Sequence, residues 1–280
     1  MTNLIPLPKD IEANKDLGQN FLINKKVVLD IVDALELDKE DILLEVGPGT
    51  GSLTFFMNQT CKRVFAIEKD KKLVSYLEEK LEENKLDNIS IIEGDILKFK
   101  LKDFLKEEKI NKVVSNLPYY ITSPIIMRFI QLEEAPDLMV FMTQKEVADR
   151  LLRGKTDQAG GILTTLARYK YDLSHVLDVS SHDFIPSPQV TSSVVKFVKR
   201  KDLLDAEVES LLFAIVKTGF ANKRKKLSNC LSASIYPHVQ REDVEKLLEE
   251  LKIRPDARAQ QLSVEDFKNL AKAFIQLNKK

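Results

Sequence analysis

The sequence predicts an α/β fold with a seven-stranded mixed sheet, followed by a small all-helical domain. Through residues 1–200, short apolar segments bounded by turn residues alternate with segments of helical apolar spacing, which is typical of a largely parallel sheet. Two strand-like segments in 169–200, joined by a polar loop, add one antiparallel strand. From about residue 201 only helical spacing remains, so we expect one domain over 1–200 and a second over 201–280.

Composition excludes several classes of protein. Of the 280 residues, 44% are apolar and 31% are charged, as in globular proteins with a sizeable core. No apolar run approaches the roughly 18 residues of a membrane span, and the first residues do not resemble a signal peptide. Cys61 and Cys230 are far apart and the three histidines are scattered, which argues against a disulfide framework or a metal site. We expect a cytoplasmic, metal-free protein that binds no membrane, and we expect a monomer.

Helical segments are predicted from apolar spacing and capping residues. Asn24 is a candidate N-cap for a helix that runs to about Leu37. Near the C-terminus, Ser263 and Asp266 resemble a capping box. The helices predicted for the second domain lie around residues 205–219, 223–233, 241–252 and 263–277.

A glycine-rich turn follows the first predicted strand, residues 43–46. Gly47, Gly49 and Gly51 occupy alternate positions, and a helical segment begins after them. Strand, glycine turn and helix start form a Rossmann-like nucleotide site, because glycines let the backbone approach a ligand and the new helix presents free N–H groups. The G-x-G-x-G spacing fits a ligand without a pyrophosphate, such as S-adenosylmethionine (SAM). A plain strand–helix connection is the alternative.

The next two strands end in acidic residues. Residues 63–68 end at Glu68, where this fold places an acceptor for ribose hydroxyls. Residues 89–95 end at Asp95, which could accept a hydrogen bond from an adenine amino group. A surface glutamate and a loop Asx-turn are the respective alternatives.

The fourth strand ends in Asn116-Leu117-Pro118-Tyr119, and strand carboxyl ends line the crevice of such sheets. An adenine amino group is a poor nucleophile because its lone pair is delocalised into the ring. The side-chain oxygen of Asn116 and the carbonyl of Leu117 could accept both of its N–H hydrogens and align the nitrogen with an electrophile. Positioning and electrostatics would supply most of the rate.

The remaining residues of this motif would hold the base itself. Pro118 fixes the backbone direction, and Tyr119 offers a ring face to an extruded base and to a nearby sulfonium. Phe184, in the loop of residues 180–193, could clamp the other face of the base. The alternative for Phe184 is an anchor that packs its loop onto the core.

Several motifs together resemble one family along nearly the whole chain. The chain contains, in this order, DLGQNFL, EVGPGTGSLT, AIEKD, EGD, NLPYYITSP, HDFIPSPQVTSSVV, GFANKRKKLSN and DARAQQLSVEDF. Their order and approximate spacing resemble the KsgA-type ribosomal RNA adenine dimethyltransferases. The resemblance implies SAM-dependent dimethylation of two adjacent adenines in a hairpin near the 3′ end of 16S ribosomal RNA. The implied partner is the small ribosomal subunit or its precursor.

The resemblance also implies roles for individual residues. It assigns the target amino group to Asn116 through Tyr119 and base stacking to Phe184. Asn20 and Leu22 lie in an N-terminal segment that closes over the ligand. The implied SAM contacts are Asn20, Leu22, Gly47, Glu68, Asp95 and Asn116.

A run of four basic residues, Lys223, Arg224, Lys225 and Lys226, lies in the predicted helical domain. We expect it to contact RNA phosphates, with Arg150 and Arg153 on the same surface; a solvated helix face is the alternative. The tail departs in part from the family pattern. Where an Arg-Arg-Lys run and an Arg-Ala-Glu motif are expected, this chain has Lys223-Arg224-Lys225 and Arg258-Ala259-Gln260.

Other functions remain open at this point. An Erm-type methyltransferase of a 23S ribosomal adenine is similar through the catalytic domain, but Leu117 and the tail favour the KsgA type. A DNA adenine methyltransferase would usually carry a separate target-recognition domain, and an NAD-dependent oxidoreductase would need the longer glycine spacing. A non-catalytic RNA-binding assembly factor is the alternative from a different class.

Overall fold

The computed structural model describes residues 4–152, 160–222, 224–232 and 234–278. The chain divides into two compact units, Met1–Asp149 with Leu173–Lys199, and Arg150–Asp172 with Arg200–Lys280. Residues 150–152 and 160–172, which precede the predicted domain boundary near residue 201, group with the second unit.

The first unit is built on a seven-stranded mixed sheet, which confirms the predicted fold class. The strand order is β4-β3-β2-β5-β6-β9-β7, with β9 antiparallel to β6 and with parallel pairing among β2 to β6. The strands are β1 (Phe21–Leu22), β2 (Ile42–Val46), β3 (Arg63–Glu68), β4 (Ile89–Glu93), β5 (Lys112–Asn116), β6 (Leu138–Gln144), β7 (Tyr171–Val179), β8 (Phe184–Ile185) and β9 (Ser192–Lys199).

The helices match the predicted segments, with ends that differ by up to four residues. Asn24 caps the first helix as predicted, because its side chain accepts a hydrogen bond from the Lys26 N–H, but the helix ends at Ala34. The helices are α1 (Lys25–Ala34), α2 (Thr54–Met57), α3 (Lys71–Asn84), α4 (Leu101–Glu107), α5 (Thr122–Ile130), α6 (Lys145–Leu152), α7 (Ile162–Lys170), α8 (Ala206–Ala221), α9 (Leu227–Leu231), α10 (Arg241–Glu250) and α11 (Val264–Asn278).

The strand order changes direction at β2. From β2 the chain passes through β3 to β4 on one side of the sheet, and then returns to place β5 and β6 on the other side. Ligands of such sheets bind beside the carboxyl ends of the strands at this switch point. The central strands are apolar on both faces, and Leu43, Leu44 and Val114 have no exposed surface. A buried, rigid platform therefore carries the loops that follow β2 and β5.

A second, two-stranded sheet was not predicted from the sequence. In it β1 pairs antiparallel with β8, with Phe21 opposite Ile185 and Leu22 opposite Phe184. Strands of two residues are too short to show an alternating pattern. This pairing holds the N-terminal segment in place.

The second unit is helical in its C-terminal part. Helix α8 buries one face, which includes Leu211, Ile215 and Gly219. A Cβ atom on Gly219 would lie 2.9 Å from Leu227, so a glycine allows α8 and α9 to approach closely. Ser263 and Asp266 form the predicted capping box at the start of α11, with the Asp266 N–H donating to Ser263 Oγ at 3.0 Å.

Candidate active site

A cleft of the first unit lies at the carboxyl ends of β2 to β5 and is covered by the N-terminal segment, Leu17–Leu22. It encloses about 980 Å³ of empty space, part of it open to solvent, which suits a nucleoside-sized ligand. The predicted site residues that line it are Asn20, Leu22, Gly47, Gly49, Glu68, Asp95, Asn116, Leu117, Pro118 and Tyr119. Gly51 and Phe184 lie elsewhere.

Two glycines of the turn after β2 have different roles. Gly49 has φ +60° and lines the cleft, and a Cβ atom there would lie 3.2 Å from the Phe21 ring of the N-terminal segment. Gly51 has φ +82°, and a Cβ atom there would lie 2.3 Å from the Phe55 ring. Gly51 lets the turn pack on Phe55, and its predicted contact with the cofactor stays a prediction.

Glu68 connects the glycine turn to the end of β3. Its Oε2 accepts the Gly49 N–H at 3.1 Å, and its Oε1 accepts the N–H groups of Lys69 and Asp70 at 2.7 and 2.9 Å. Burial raises the pKa of Glu68, although these three bonds oppose the shift. A carboxylate has about four acceptor positions, so Glu68 retains capacity for a ligand hydroxyl.

Asp95 lines the cleft after β4. Its Oδ1 accepts the Leu97 N–H at 2.9 Å, and its Oδ2 lies 3.1 Å from Lys69 Nζ. Partial burial would raise the pKa of Asp95, but the bonds from Leu97 and Lys69 outweigh it and lower the pKa. The ionised carboxylate can accept a hydrogen bond from a ligand amino group.

Glu45 is a lining residue for which the sequence analysis predicted no role. It lies in β2 directly before the glycine turn, is 2% exposed, and accepts a 2.6 Å hydrogen bond from Thr54 Oγ1. Burial raises its pKa to about 8; the Thr54 bond opposes this shift, and the charge of Glu68 adds to it. An acidic residue inside an apolar strand was the signal that could have identified it.

Asn116 ends β5, and its amide orientation is set by the N-terminal segment. Its Nδ2 donates to the backbone carbonyl of Asn20 at 3.0 Å. Because a carbonyl can only accept, the nitrogen of the Asn116 amide must face Asn20. The amide oxygen is therefore the Asn116 atom that remains to accept a hydrogen bond from a ligand in the cleft.

The three residues after Asn116 are held tightly. Leu117 is 1% exposed and its N–H donates to the Met142 carbonyl at 3.0 Å, while the Pro118 carbonyl accepts from Thr122 Oγ1 at 3.1 Å. The Tyr119 hydroxyl lies 2.6 Å from Ser192 Oγ, which fixes the direction of the ring. Burial raises the pKa of Tyr119, so it stays a neutral phenol.

Phe184 lies in the hydrophobic core and not on the wall of the cleft. It is 2% exposed, it pairs with Leu22 across the two-stranded sheet, and it packs among the buried residues of the first unit. This is the placement expected of a packing anchor. Its predicted role in base stacking stays a prediction.

Three of the four residues of the basic run lie in a turn and not on a helix face. Arg224, Lys225 and Lys226 are exposed and precede α9, which begins only at Leu227, so the predicted helix over 223–233 is shorter than expected. Arg150 is exposed on α6. Lys223 and Arg153 lie outside the described residues.

The described residues were also compared with the requirements of a metal site and of a membrane-spanning helix. Within residues 4–152, 160–222, 224–232 and 234–278, no group of three His, Cys, Asp or Glu side chains is placed to hold a metal ion. No helix in the same part of the chain combines the length and apolar character needed to cross a membrane.

The sheet and its cleft have the architecture of Rossmann-like methyltransferases. A dimethyladenosine transferase from Plasmodium falciparum superposes with a TM-score of 0.76 at 24% identity, covering 92% of this chain and 98% of that one. The 23S rRNA methyltransferase ErmE superposes with a TM-score of 0.66 at 24% identity, covering 90% and 98%. At this level of identity the two structures establish the fold.

Sequence comparison establishes the family. The model of the family described as "Ribosomal RNA adenine dimethylase" matches residues 11–276. A ribosomal RNA small subunit methyltransferase A from Lactococcus lactis is 37% identical, covering 96% of this chain and 92% of its own. A protein of the same name from Alkaliphilus metalliredigens is 36% identical, covering 92% and 91%. The chain belongs to the ribosomal RNA adenine dimethylase family, which confirms the family and the class of enzyme predicted from its motifs.

Proposed function

We propose that this enzyme uses SAM to dimethylate the amino groups of two adjacent adenines in a hairpin near the 3′ end of 16S ribosomal RNA, during assembly of the small subunit. The names of its relatives support the small subunit as substrate. The observation that carries the chemistry is the Asn116 amide, whose nitrogen is committed to Asn20 and whose oxygen remains for the target.

The residues of the cleft fit SAM. When bound, SAM supplies an electrophilic methyl group on a sulfonium. The glycine turn allows close backbone approach, Glu68 would accept from the ribose hydroxyls, and Asp95 would accept from the adenine amino group. Asn20 and Leu22 would close the cleft from above.

The acceptor site would work by alignment. The Asn116 oxygen and the Leu117 carbonyl would each accept one N–H of the target amino group, which directs the nitrogen lone pair toward the methyl donor. Pro118 and the bond from Tyr119 to Ser192 keep this turn rigid. The Tyr119 ring would stack on the extruded base, and Phe184 is the second predicted contact. A strong general base is unnecessary because the product ammonium loses its proton readily.

We propose that the domains divide the task, with residues 1–200 as the catalytic domain and 201–280 as the RNA-docking domain. The cations expected to contact the RNA backbone are Arg150, Arg153, Lys223, Arg224, Lys225 and Lys226. A protein that acts on an assembling subunit would work in the cytoplasm, and we expect it to act as a monomer.

Two alternative functions predict different results in a methyl-transfer assay. Methylation of 23S ribosomal RNA is the activity named for ErmE, which resembles this chain at the level of fold. A non-catalytic assembly factor would have no need of the preserved glycine turn, Glu68 or the Asn116 motif.

The decisive experiment is transfer of labelled methyl groups to under-methylated small and large ribosomal subunits, with the modified positions mapped by mass spectrometry. We expect label in adjacent adenines of the small subunit only. Label in the large subunit would establish the Erm-type activity. Binding to the small subunit without transfer to either particle would establish the assembly-factor role.

A further inference from the structure

The N-terminal segment is held over the cleft by a side chain without an assigned role. Gln19 Nε2 donates to Asp70 Oδ2 at 3.0 Å, and Gln19 Oε1 accepts the Asn14 N–H at 2.7 Å. Both ends of the Gln19 amide therefore have a partner, and its orientation is defined. The bond to Asp70 joins residues that are 51 positions apart in the sequence.

Asp70 is a rigid attachment point. It is the N-cap of α3, where its Oδ1 accepts the Lys72 N–H at 3.0 Å, and it follows Glu68 by two residues. One carboxylate oxygen thus caps the helix and the other holds Gln19. The N-terminal segment is tied to the strand end that carries the expected ribose acceptor.

The residue next to Gln19 is the one that orients Asn116. The Asn20 carbonyl accepts Asn116 Nδ2 at 3.0 Å. On its other side the segment is held by Ser52 Oγ, which donates to the Leu22 carbonyl at 2.7 Å. The position of the Asn20 carbonyl is therefore set from both sides, by Gln19 before it and by Leu22 after it.

We propose that Gln19 is a positioning residue: its bond to Asp70 holds the Asn20 carbonyl where it accepts from Asn116 and keeps the Asn116 oxygen toward the target amino group. This inference rests on the proposed function and deepens it. We call the hydrogen bond from Gln19 to Asp70 the tether. Without it the Asn116 amide is free to turn over, and its NH₂ group would then face the N–H hydrogens of the substrate. Two donors cannot form a hydrogen bond, so transfer fails in that orientation.

The test exchanges the donor and the acceptor of the tether. Gln19→Glu has the same shape and still accepts from Asn14, but it cannot donate to Asp70. Asp70→Asn still caps α3 through its oxygen, but its NH₂ group then faces the NH₂ group of Gln19. In the double variant the NH₂ group of the new asparagine donates to the new glutamate, which restores one hydrogen bond in the opposite direction. The four proteins form a double-mutant cycle.

The first measurement needs no RNA. The side-chain amide signals of Asn116 in a ¹⁵N–¹H spectrum, assigned by their loss in Asn116→Asp, report the bond to the Asn20 carbonyl. We expect these signals to shift and to exchange faster with solvent in Gln19→Glu and in Asp70→Asn, and to return toward wild type in the double variant. Unchanged signals in both folded single variants would overturn the inference.

The second measurement is steady-state methyl transfer to the under-methylated small subunit. We expect each single variant to lose about tenfold or more in kcat, with a change of about twofold or less in KM for the particle, and the double variant to recover most of the loss. Normal kcat despite altered Asn116 signals would also overturn it. If wild type transfers no methyl group while the Asn116 signals respond as expected, the proposed function fails and the tether stands.

Discussion

The two walls of the cleft are built differently. The lower wall consists of strand ends, with Glu45, Glu68 and Asn116 carried by β2, β3 and β5, which are paired in register across the centre of the sheet. The upper wall is the segment Leu17–Leu22, whose longest strand has two residues. It depends on side-chain hydrogen bonds with Ser52, which donates to it, and with Asp70, which accepts from it. A side chain carried by the sheet keeps its position when one hydrogen bond is lost. The N-terminal segment is held at only a few points and does not.

This difference assigns separate tasks to the walls. The strand ends supply the groups expected to bind and orient ligands, and the segment above them orients one of these groups, the Asn116 amide. Variants of the lower wall should therefore change binding or chemistry directly. Variants of the upper wall should change alignment, or the stability of the first unit, depending on which support is removed.

The largest expected change in free energy comes from removing a side chain that supports the upper wall. Phe184→Ala deletes a buried ring that packs opposite Leu22, so the free energy of unfolding should fall by about 3–5 kcal/mol in a denaturant titration. Phe184→Leu keeps most of the apolar volume without an aromatic face and should recover most of this stability. If Phe184→Leu is stable but still transfers methyl groups slowly, Phe184 stacks on the target base as well.

Asn116→Ala tests the lower wall at the point where the upper wall orients it. It removes the only side-chain acceptor proposed for the target amino group, and we expect a loss of about 10²-fold in kcat, the scale of a hydrogen bond that aligns the transition state. SAM affinity and thermal stability are the controls, and both should change much less. Transfer near the wild-type rate would show that the alignment mechanism is wrong.

These two residues illustrate what a sequence can predict. The Asn116 motif was found because its chemistry is local: four consecutive residues at the end of a predicted strand carry the acceptors, the turn and the ring. The placement of Phe184 depends on a pairing with Leu22 across more than half of the chain, and strands of two residues have no periodicity to show it. The family resemblance supplied Asn20 and Leu22, but not the bonds that position them.

In the fold, too, features set by local sequence were predicted and features that depend on distant residues were not. The alternation of apolar segments predicted the sheet and its antiparallel strand, because burial of both sheet faces dictates that pattern. Glu45 and Gln19 were missed because their roles depend on neighbours distant in sequence or on burial, such as Asp70 for Gln19. Helix spacing also does not reveal which unit a helix joins, so the grouping of α6 and α7 could not be read from the sequence.

Glu68→Ala should weaken SAM binding by about 1.5–3 kcal/mol, the value of a hydrogen bond to a charged group. Because Glu68 also accepts the Gly49 N–H, part of this loss would come from a looser glycine turn. Glu68→Gln keeps one oxygen, which can accept either from Gly49 or from Lys69 and Asp70 but not from both, so this variant should also disturb the end of β3. Wild-type affinity for SAM by calorimetry in a folded Glu68→Ala protein would remove Glu68 from the site.

Glu45→Gln should change how stability depends on pH. The pKa of buried Glu45 is raised to about 8, so between about pH 4.5 and 8 the folded state keeps a proton that the unfolded state has released. Wild type should therefore lose stability as pH rises through this window, by up to about 1.4 kcal/mol per pH unit from this group, and level off above it. Glu45→Gln should lack this decline while keeping the Thr54 bond. Parallel curves of unfolding free energy against pH for the two proteins would contradict the raised pKa of Glu45.

The smallest effect per residue is expected outside both walls, on the affinity for the small subunit, when cations of the exposed turn Arg224–Lys226 are replaced. Replacing these three cations with Gln should leave SAM affinity unchanged and weaken binding to the small subunit. Each lost phosphate contact lowers the slope of log affinity against log salt by roughly 0.7–0.9, so two or three contacts should flatten it by about 1.4–2.7. A matched control replaces three exposed lysines of the first unit, Lys98, Lys100 and Lys102, and removes the same net charge. If both triple variants give the slope of wild type, the turn is a solvated surface; if both flatten it equally, net charge and not a docking site governs binding.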